Sequence, residues 1–368
     1  MSNEAANSPI KATTAGMVGQ QFYDKNSTPQ WNTIAHVLPW LGEAVKELPS
    51  ETQFRLVDIG CSEGGNSMRM LDHVVKALRE NHSGPISIVE SDLPSNDYSK
   101  ILEAMGYRST PPFTDPLVFG GIVSGSMYDQ LLPAHSAHLI TTFNAIGFLS
   151  HRPVERIKNH IVCAKKRPTL NVENANEEHF GTFLQCAHND LELFLQARAH
   201  ELVSGGKLLV QVFGKDDRIK NALTIFEAPN DALIELVEKG EISRDIYERY
   251  YHPVTFRTLD QLLAPVTAGT GKFASAFKIE RTESYEVQLP FVEQFKKDGN
   301  VEQYAHQMTN FFRAFMEAVL KEALEETGRA EELVEAVFKR SEELIVQYPD
   351  RYQFHYVSVA MLLTYTGE

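Results

Sequence analysis

Positive charge is what this chain has least of. Its 368 residues carry 35 Lys and Arg against 49 Asp and Glu, a formal net charge of −14. That balance repels phosphate backbones and argues against nucleic acid as a partner. The one compact basic run, Lys165-Lys166-Arg167, reads as a solvated loop. Cysteine is also sparse. Cys61, Cys163 and Cys186 are odd in number and lack C-x-x-C spacing, which fits reduced thiols in a cytoplasmic protein and not a disulfide framework or a zinc site. No apolar run approaches the roughly 20 residues of a membrane helix. The N-terminus lacks a basic start followed by an apolar stretch, so no secretory signal is expected. There is no internal repeat and no low-complexity tract.

What is present suits a globular protein with a real core: 43% hydrophobic and 23% charged residues. The length allows one large domain, or one domain with a substantial insertion. The first 15 or so residues are small and polar, and fraying is expected there. From Thr28 to Leu48, Trp31, Ile34, Leu38, Leu41 and Val45 recur at helical spacing, with Pro39 marking a kink or break. "FRLVDIG" is a strand buried on both faces, and a helix follows over Asn66 to Arg79. "ISIVE", "LVFGGIVSGS", "AHLITTF" and "KLLVQVF" are four further strands, and "FHYVSVAMLLTYT" closes the chain as another. Phe180 to Val203 is a long amphipathic helix, stopped by Ser204-Gly205-Gly206. The alternation predicts an α/β fold, a mostly parallel sheet covered on both faces. Ser150 to Glu178, Lys215 to about Leu263, and a strongly helical stretch over about 291–348 fall outside it and predict a mainly helical cap.

"DIGCSEGGN", after the first strand, is where such a sheet holds its ligand. Asp58 ends the strand, Gly60 and Gly64 or Gly65 let backbone approach, and Asn66 opens the helix. The pattern is not G-x-G-x-x-G, which offers a helix N-terminus to a pyrophosphate. An acid before the first glycine suits an ammonium or sulfonium instead. D-x-G-x-x-x-G points to S-adenosylmethionine, with a nicotinamide or flavin nucleotide and a purely structural turn as alternatives. Glu90 and Asp92, ending the second strand, are both placed to accept two ribose hydroxyls, or to cap the next helix. "SGSMY" offers hydroxyls and Met127 after the third strand.

Four ordered segments carry a family resemblance. "YDKNSTPQ" (Tyr23 to Gln30), "DIGCSEGGN", "SDLPSNDYS" and "DLELFLQARAHELVSGGKLLVQVFG" resemble, in order, motifs of the SABATH family of plant-type carboxyl methyltransferases. The resemblance runs from Tyr23 to the last strand. It implies a Rossmann-like class I methyltransferase sheet with an antiparallel final strand. The corresponding division is a flexible segment over 1–22, the first half of the cofactor-binding core over 23–150, and cap insertions over 151–180 and 215–263. Residues 181–214 return to the core, and 264–368 complete it, with 290–348 adding to the cap. By position, Tyr23, Ser27, Asp58, Gly60, Asn66, Asp92, Leu93, Ser126 and Met127 are expected to hold S-adenosylmethionine, with Asp92 on the ribose. Gln30 would grip a substrate carboxylate, Tyr23 would lie beside the transfer site, and Phe148, Ile225, Phe226 and Phe312 would line the acceptor pocket. A homodimer is implied.

The chain also departs from the family. "TTFNAIGFLS" has Phe148 where the family has a carboxylate-binding tryptophan, and Asn144 where it has a tyrosine. Phenylalanine has no N–H to donate, so Gln30 and Asn144 are the expected amide donors. "DIYERYYHP" lacks the asparagine of the family's metal-binding segment, and no metal is expected. Methyl transfer to a carboxylate needs no catalytic base, because an acid with a pKa of about 4 is already ionised. It needs alignment at about 3–3.5 Å and exclusion of water. The expected acceptor is a small hydrophobic or aromatic acid. The alternatives are N-methylation of a heterocycle, for which the loss of the tryptophan speaks, and a non-catalytic binder of the cofactor. A nicotinamide-dependent oxidoreductase is disfavoured by Asp58.

Overall fold

The computed structural model describes residues 17, 19, 21–163, 177–216, 218–219 and 224–367. The segment expected to fray, the Lys165-Lys166-Arg167 run and part of the 151–180 insertion lie outside the described residues. In chain order the elements are α1 (Phe22–Asn26), α2 (Thr28–Ala44), β1 (Phe54–Ile59), α3 (Gly65–Arg79), β2 (Ile86–Asp92), α4 (Ser99–Tyr107), β3 (Val118–Ser124) and β4 (Ala137–Phe143). They continue with α5 (Glu177–Glu201), β5 (Leu202–Phe213), α6 (Glu227–Glu238), α7 (Arg244–Arg249), α8 (Leu259–Leu263) and β6 (Phe277–Val287). The last four are α9 (Pro290–Asp298), α10 (Val301–Leu324), α11 (Ala330–Gln347) and β7 (Tyr356–Tyr365).

The strands form one seven-stranded sheet in the order β3-β2-β1-β4-β5-β7-β6. β1 to β5 pair in parallel, and β7 runs antiparallel to both β5 and β6. The antiparallel final strand expected from the resemblance is therefore present. Strand residues alternate between two cores. On one face Leu56, Ile88 and Leu139 pack with Val37 and Leu41 of α2 and Leu71 and Val74 of α3. On the other, Val57, Ile140 and Val210 pack with Leu191, Phe194 and Leu195 of α5. Burial on both faces is why these strands read as continuous apolar runs. The first core continues through α6, α10 and α11, which form a helical layer over the carboxyl ends of the strands.

Three sequence expectations are corrected. Pro39 neither ends nor interrupts α2, which runs through it. Ser204-Gly205-Gly206 does not stop α5. The helix ends at Glu201, where His135 and Ser136 donate backbone N–H groups to the carbonyls of His200 and Glu201. The glycines instead form a bulge in β5, where pairing jumps from Ala137–Leu202 to Leu139–Lys207 and Gly205 takes φ +81°. The third correction is an addition: β6 is a strand the sequence did not announce. It is the sheet edge, and charged residues interrupt its apolar alternation.

The loop after β3 is anchored to α5 by a buried ion pair. Arg198 and Glu201 are both fully buried, with Arg198 Nε 2.8 Å from Glu201 Oε2. The guanidinium also donates to the carbonyls of Met127 and Asp129, and Glu201 Oε1 accepts from the backbone of Leu131 and Leu132. Removing one partner strands the other charge in a dry interior. Arg198→Ala is expected to lower unfolding stability by about 3–5 kcal/mol, read by denaturant titration. A loss below about 1 kcal/mol would contradict this anchoring role.

Candidate active site

The order of the strands reverses at β1, which lies between β2 and β4, so their carboxyl ends diverge there and leave a crevice. A cavity of about 720 Å³ occupies it. Ile59, Gly60 and Ser62 at the end of β1, Asp92 and Leu93 at the end of β2, Ser126 and Met127 after β3, and Asn144 after β4 line its sheet side. Helical-layer residues close the far side: Ile225, Phe226, Phe311 and Phe315.

The turn after β1 needs glycine. Gly60 has φ +89°, and a Cβ there would stand 2.4 Å from the Cβ of Ala145. Gly64 has φ +90°, and its Cβ would meet Ile101 at 2.3 Å. The turn is then tied to its surroundings by carboxylates. Ser62 N–H donates to Asp92 Oδ2 at 2.8 Å, and Leu93 N–H donates to Asp92 Oδ1 at 2.7 Å. The N–H of Gly65, first in α3, donates to Asp24, which also pairs with Lys100. Glu63 accepts from the backbone N–H of Gln21 and Asp24, holding α1 across the turn. A helix start already bonded to a carboxylate is not a phosphate cradle, which weighs against a dinucleotide.

Behind the cavity wall, β1 and β2 place Asp58 directly beside Glu90. Both are buried. Thr141 Oγ1 donates to Asp58 at 2.6 Å, and Ser67 Oγ donates to Glu90 at 2.7 Å. Burial raises both pKa values, and the charge of Asp58 raises that of Glu90 further. Burial also raises Asp92, against the lowering effect of its two backbone donors. No lysine or arginine stands against any of the three among the described residues. The Tyr23 hydroxyl, in the cavity wall, is held protonated by burial and by Asp24, Asp92 and Glu63.

The structure brings most of the expected site residues to the cavity: Tyr23, Gln30, Gly60, Asp92, Leu93, Ser126, Met127, Asn144, Phe148, Ile225 and Phe226 all line it. Four do not. Asp58 lies behind the wall on Thr141. Asn66 and Ser27 bond each other, Nδ2 to Oγ at 3.0 Å, and lock the start of α2 to the start of α3. Phe312 turns toward Phe338 of α11, with ring centroids 6.0 Å apart, while Phe311 and Phe315 face the cavity from the adjoining side of α10.

The residue replacing the family's tyrosine is tightly held. Asn144 takes φ +61°, a left-handed conformation that asparagine tolerates. Its Oδ1 accepts from Tyr356 Oη at 3.1 Å and Gln211 Nε2 at 3.3 Å. Both acceptor positions of the amide oxygen are filled, which leaves Nδ2 as a donor in the cavity wall. Gln30 is buried, and its Oε1 has no partner among the described residues. Sequence reasoning did not foresee Tyr356, whose role depends on the pairing of β7 with β5, nor His252 and Thr255, which also line the cavity. It also gave no sign of a second group, in which His151, Cys186 and Asp190 bring side-chain ligand atoms within 4.8 Å of one another. There Asp190 is engaged by the backbone N–H and hydroxyl of Ser150.

A family model of S-adenosylmethionine-dependent carboxyl methyltransferases matches residues 11–366. The chain belongs to this family. It is 26% identical to salicylate carboxymethyltransferase of Clarkia breweri, over 95% of this chain and 96% of that protein. It is 23% identical to the probable jasmonic acid carboxyl methyltransferase 1 of Theobroma cacao, with 95% and 96% covered. A solved loganic acid methyltransferase with SAH shares its fold, with a TM-score of 0.77 at 22% identity over 96% of this chain and 99% of that one. The family's cofactor is S-adenosylmethionine, and the donor set fits it: acidic groups without a protein counter-cation, facing a cationic ligand. No described helix is long and apolar enough to cross a membrane.

Asp92 carries two carboxylate oxygens, each with a lone pair beyond its backbone bond. Asp92→Ala is expected to weaken binding of S-adenosylmethionine at least about thirtyfold, on the scale of two lost hydrogen bonds to a charged group. Titration calorimetry alongside a melting curve would measure it. Unchanged affinity in a folded variant would remove Asp92 from the cofactor site.

Proposed function

We propose that the chain methylates the carboxylate of a small hydrophobic or aromatic acid, giving a methyl ester, with no dedicated base. The supporting observation is the fixed carboxamide of Asn144: its oxygen is held by Tyr356 and Gln211, which leaves Nδ2 as its donor in a cavity that Gln30 also lines. An amide donor in an apolar chamber suits an anion that has to shed water, and in this reading Gln30 Nε2 is the second donor.

When bound, S-adenosylmethionine supplies an electrophilic methyl group on a sulfonium. In this reading Asp92, Leu93, Ser126, Met127 and Tyr23 hold it along the strand ends, with Asp58 acting through its field from behind. Ser27 and Asn66 act as positioning residues, fixing the helices that carry Gln30 and the turn. Gln30 and Asn144 orient the carboxylate oxygen, and Phe148, Ile225, Phe226, Phe311 and Phe315 exclude water. No proton has to move, because the acid arrives ionised. Orientation of this kind is worth roughly 7–11 kcal/mol of barrier in favourable cases. The reading includes a cytoplasmic homodimer, supported by the scarcity of cysteine and by the family resemblance.

Asn144→Ala and Gln30→Ala are each expected to lower kcat/KM for the best acid at least about tenfold, the loss of one hydrogen bond to a charged acceptor. Labelled S-adenosylmethionine, a panel of acids and nitrogen heterocycles, and mass spectrometry of the products would test this. Heterocycles methylated in preference to every acid, with acid turnover indifferent to both changes, would overturn the carboxylate assignment.

A further inference from the structure

One side chain in the acceptor chamber has no part in gripping a carboxylate. His252 is fully buried and lines the cavity, its ring 5.8 Å from that of Phe226 and 5.5 Å from that of Tyr250. Its backbone N–H donates to the carbonyl of Ile161 at 2.8 Å, so the residue is anchored. Nε2 lies 2.8 Å from the buried hydroxyl of Tyr250. Nδ1 is buried and has no partner among the described residues. Three residues on, Thr255 repeats the pattern: it lines the same cavity, and its Oγ1 is buried without a partner among the described residues.

The chemistry of the ring fixes what it offers. Burial, with a smaller contribution from the charge of Arg152, holds its pKa down to about 3, so the imidazole is neutral under physiological conditions. Burial keeps Tyr250 protonated, and His252 Nε2 is the hydrogen-bond partner of its hydroxyl. The hydroxyl has no other acceptor among the described residues, so its proton goes to Nε2 and the one ring proton sits on Nδ1. A buried N–H without a partner is costly in an apolar wall unless a ligand satisfies it.

We propose that His252, with Thr255 beside it, reads a second oxygen on the acceptor: the substrate is an acid that carries a hydroxyl or ketone on its apolar body, away from the carboxylate. His252 Nδ1–H donates to that oxygen. Thr255 Oγ donates to a ketone as well, or accepts from a hydroxyl. This rests on the reading of the chain as a carboxyl methyltransferase and narrows its substrate class. A plain hydrocarbon acid of the same shape would leave both groups unpaired, and sites built to bond an oxygen discriminate strongly against analogues lacking it.

The test compares matched acids with labelled S-adenosylmethionine: benzoic acid against meta- and para-hydroxybenzoic acid, and phenylbutanoic acid against benzoylpropionic acid. The oxygenated member of at least one pair is expected to have a kcat/KM at least about tenfold higher. His252→Phe is expected to reduce that ratio at least about tenfold, while His252→Asn, which keeps a donor, retains part of it. Calorimetry with S-adenosylmethionine establishes that each variant is folded. Preference for the plain acid in every pair, or a ratio unchanged in either folded variant from which the donor is removed or shifted, overturns the proposal even though acids are methylated. If no acid is methylated while the cofactor binds, the carboxyl reading itself fails and takes this one with it.

Discussion

The arrangement depends on uncompensated negative charge at the point where the sheet changes direction. The parallel register of β1 and β2 sets Asp58 beside Glu90, and Asp92 is the last residue of β2. In an ordinary core such groups would be paired with Lys or Arg. Here they are held by hydroxyls and backbone N–H groups, which bond the carboxyls without cancelling charge and leave Glu90 Oε1 without a partner among the described residues. The interior is left short of one cation, at the wall of a cavity of about 720 Å³. A sulfonium ligand completes that balance. A pyrophosphate would worsen it.

The rest of the molecule keeps this charge in place and keeps water away from the neighbouring chamber. Arg198 and Glu201 anchor the loop that carries Met127, and Glu63 and Asp24 draw α1 across the glycine turn. On the acceptor side Tyr356, Gln211 and Ser358 form a short hydrogen-bond chain that ends on Asn144. Eight phenylalanines, Phe148, Phe226, Phe311 and Phe315 among them, line the cavity. The donor end is thus polar and acidic, and the acceptor end is apolar with a few aimed groups. That division is what transfer from a cation to an anion needs in order to proceed in a dry space.

Much of this was legible in the residues. β1, β2 and β4 are buried on both faces and so read as continuous apolar runs, and the acid before Gly60 distinguished a cationic ligand from a phosphate. What was not legible depended on tertiary placement. β6 is an edge strand whose exposed positions are charged, so its alternation is broken. On α10, Phe311, Phe312 and Phe315 are all apolar, and only packing against α11 decides that Phe312 turns away from the cavity. Asp58 matches a cofactor motif, yet Ile59 and Gly60 form the wall in front of it. His252 lies in the segment whose missing asparagine spoke against a metal. Its meaning appears only when Tyr250 is seen to occupy one of its nitrogens.

The central claim is electrostatic, and pH tests it directly. Burial raises the pKa values of Asp58 and Glu90, with the charge of Asp92 raising both and that of Asp58 raising Glu90 further, so a folded protein without a cation resists ionising the pair. A ligand that favours the ionised pair must release protons on binding, and its affinity rises with pH through that titration. S-adenosylmethionine and S-adenosylhomocysteine differ by the sulfonium charge, which makes their affinity ratio the appropriate measurement. Calorimetric titration from about pH 5.5 to about pH 8 is predicted to show the ratio rising severalfold in favour of S-adenosylmethionine. A ratio that stays flat across that range would contradict the account.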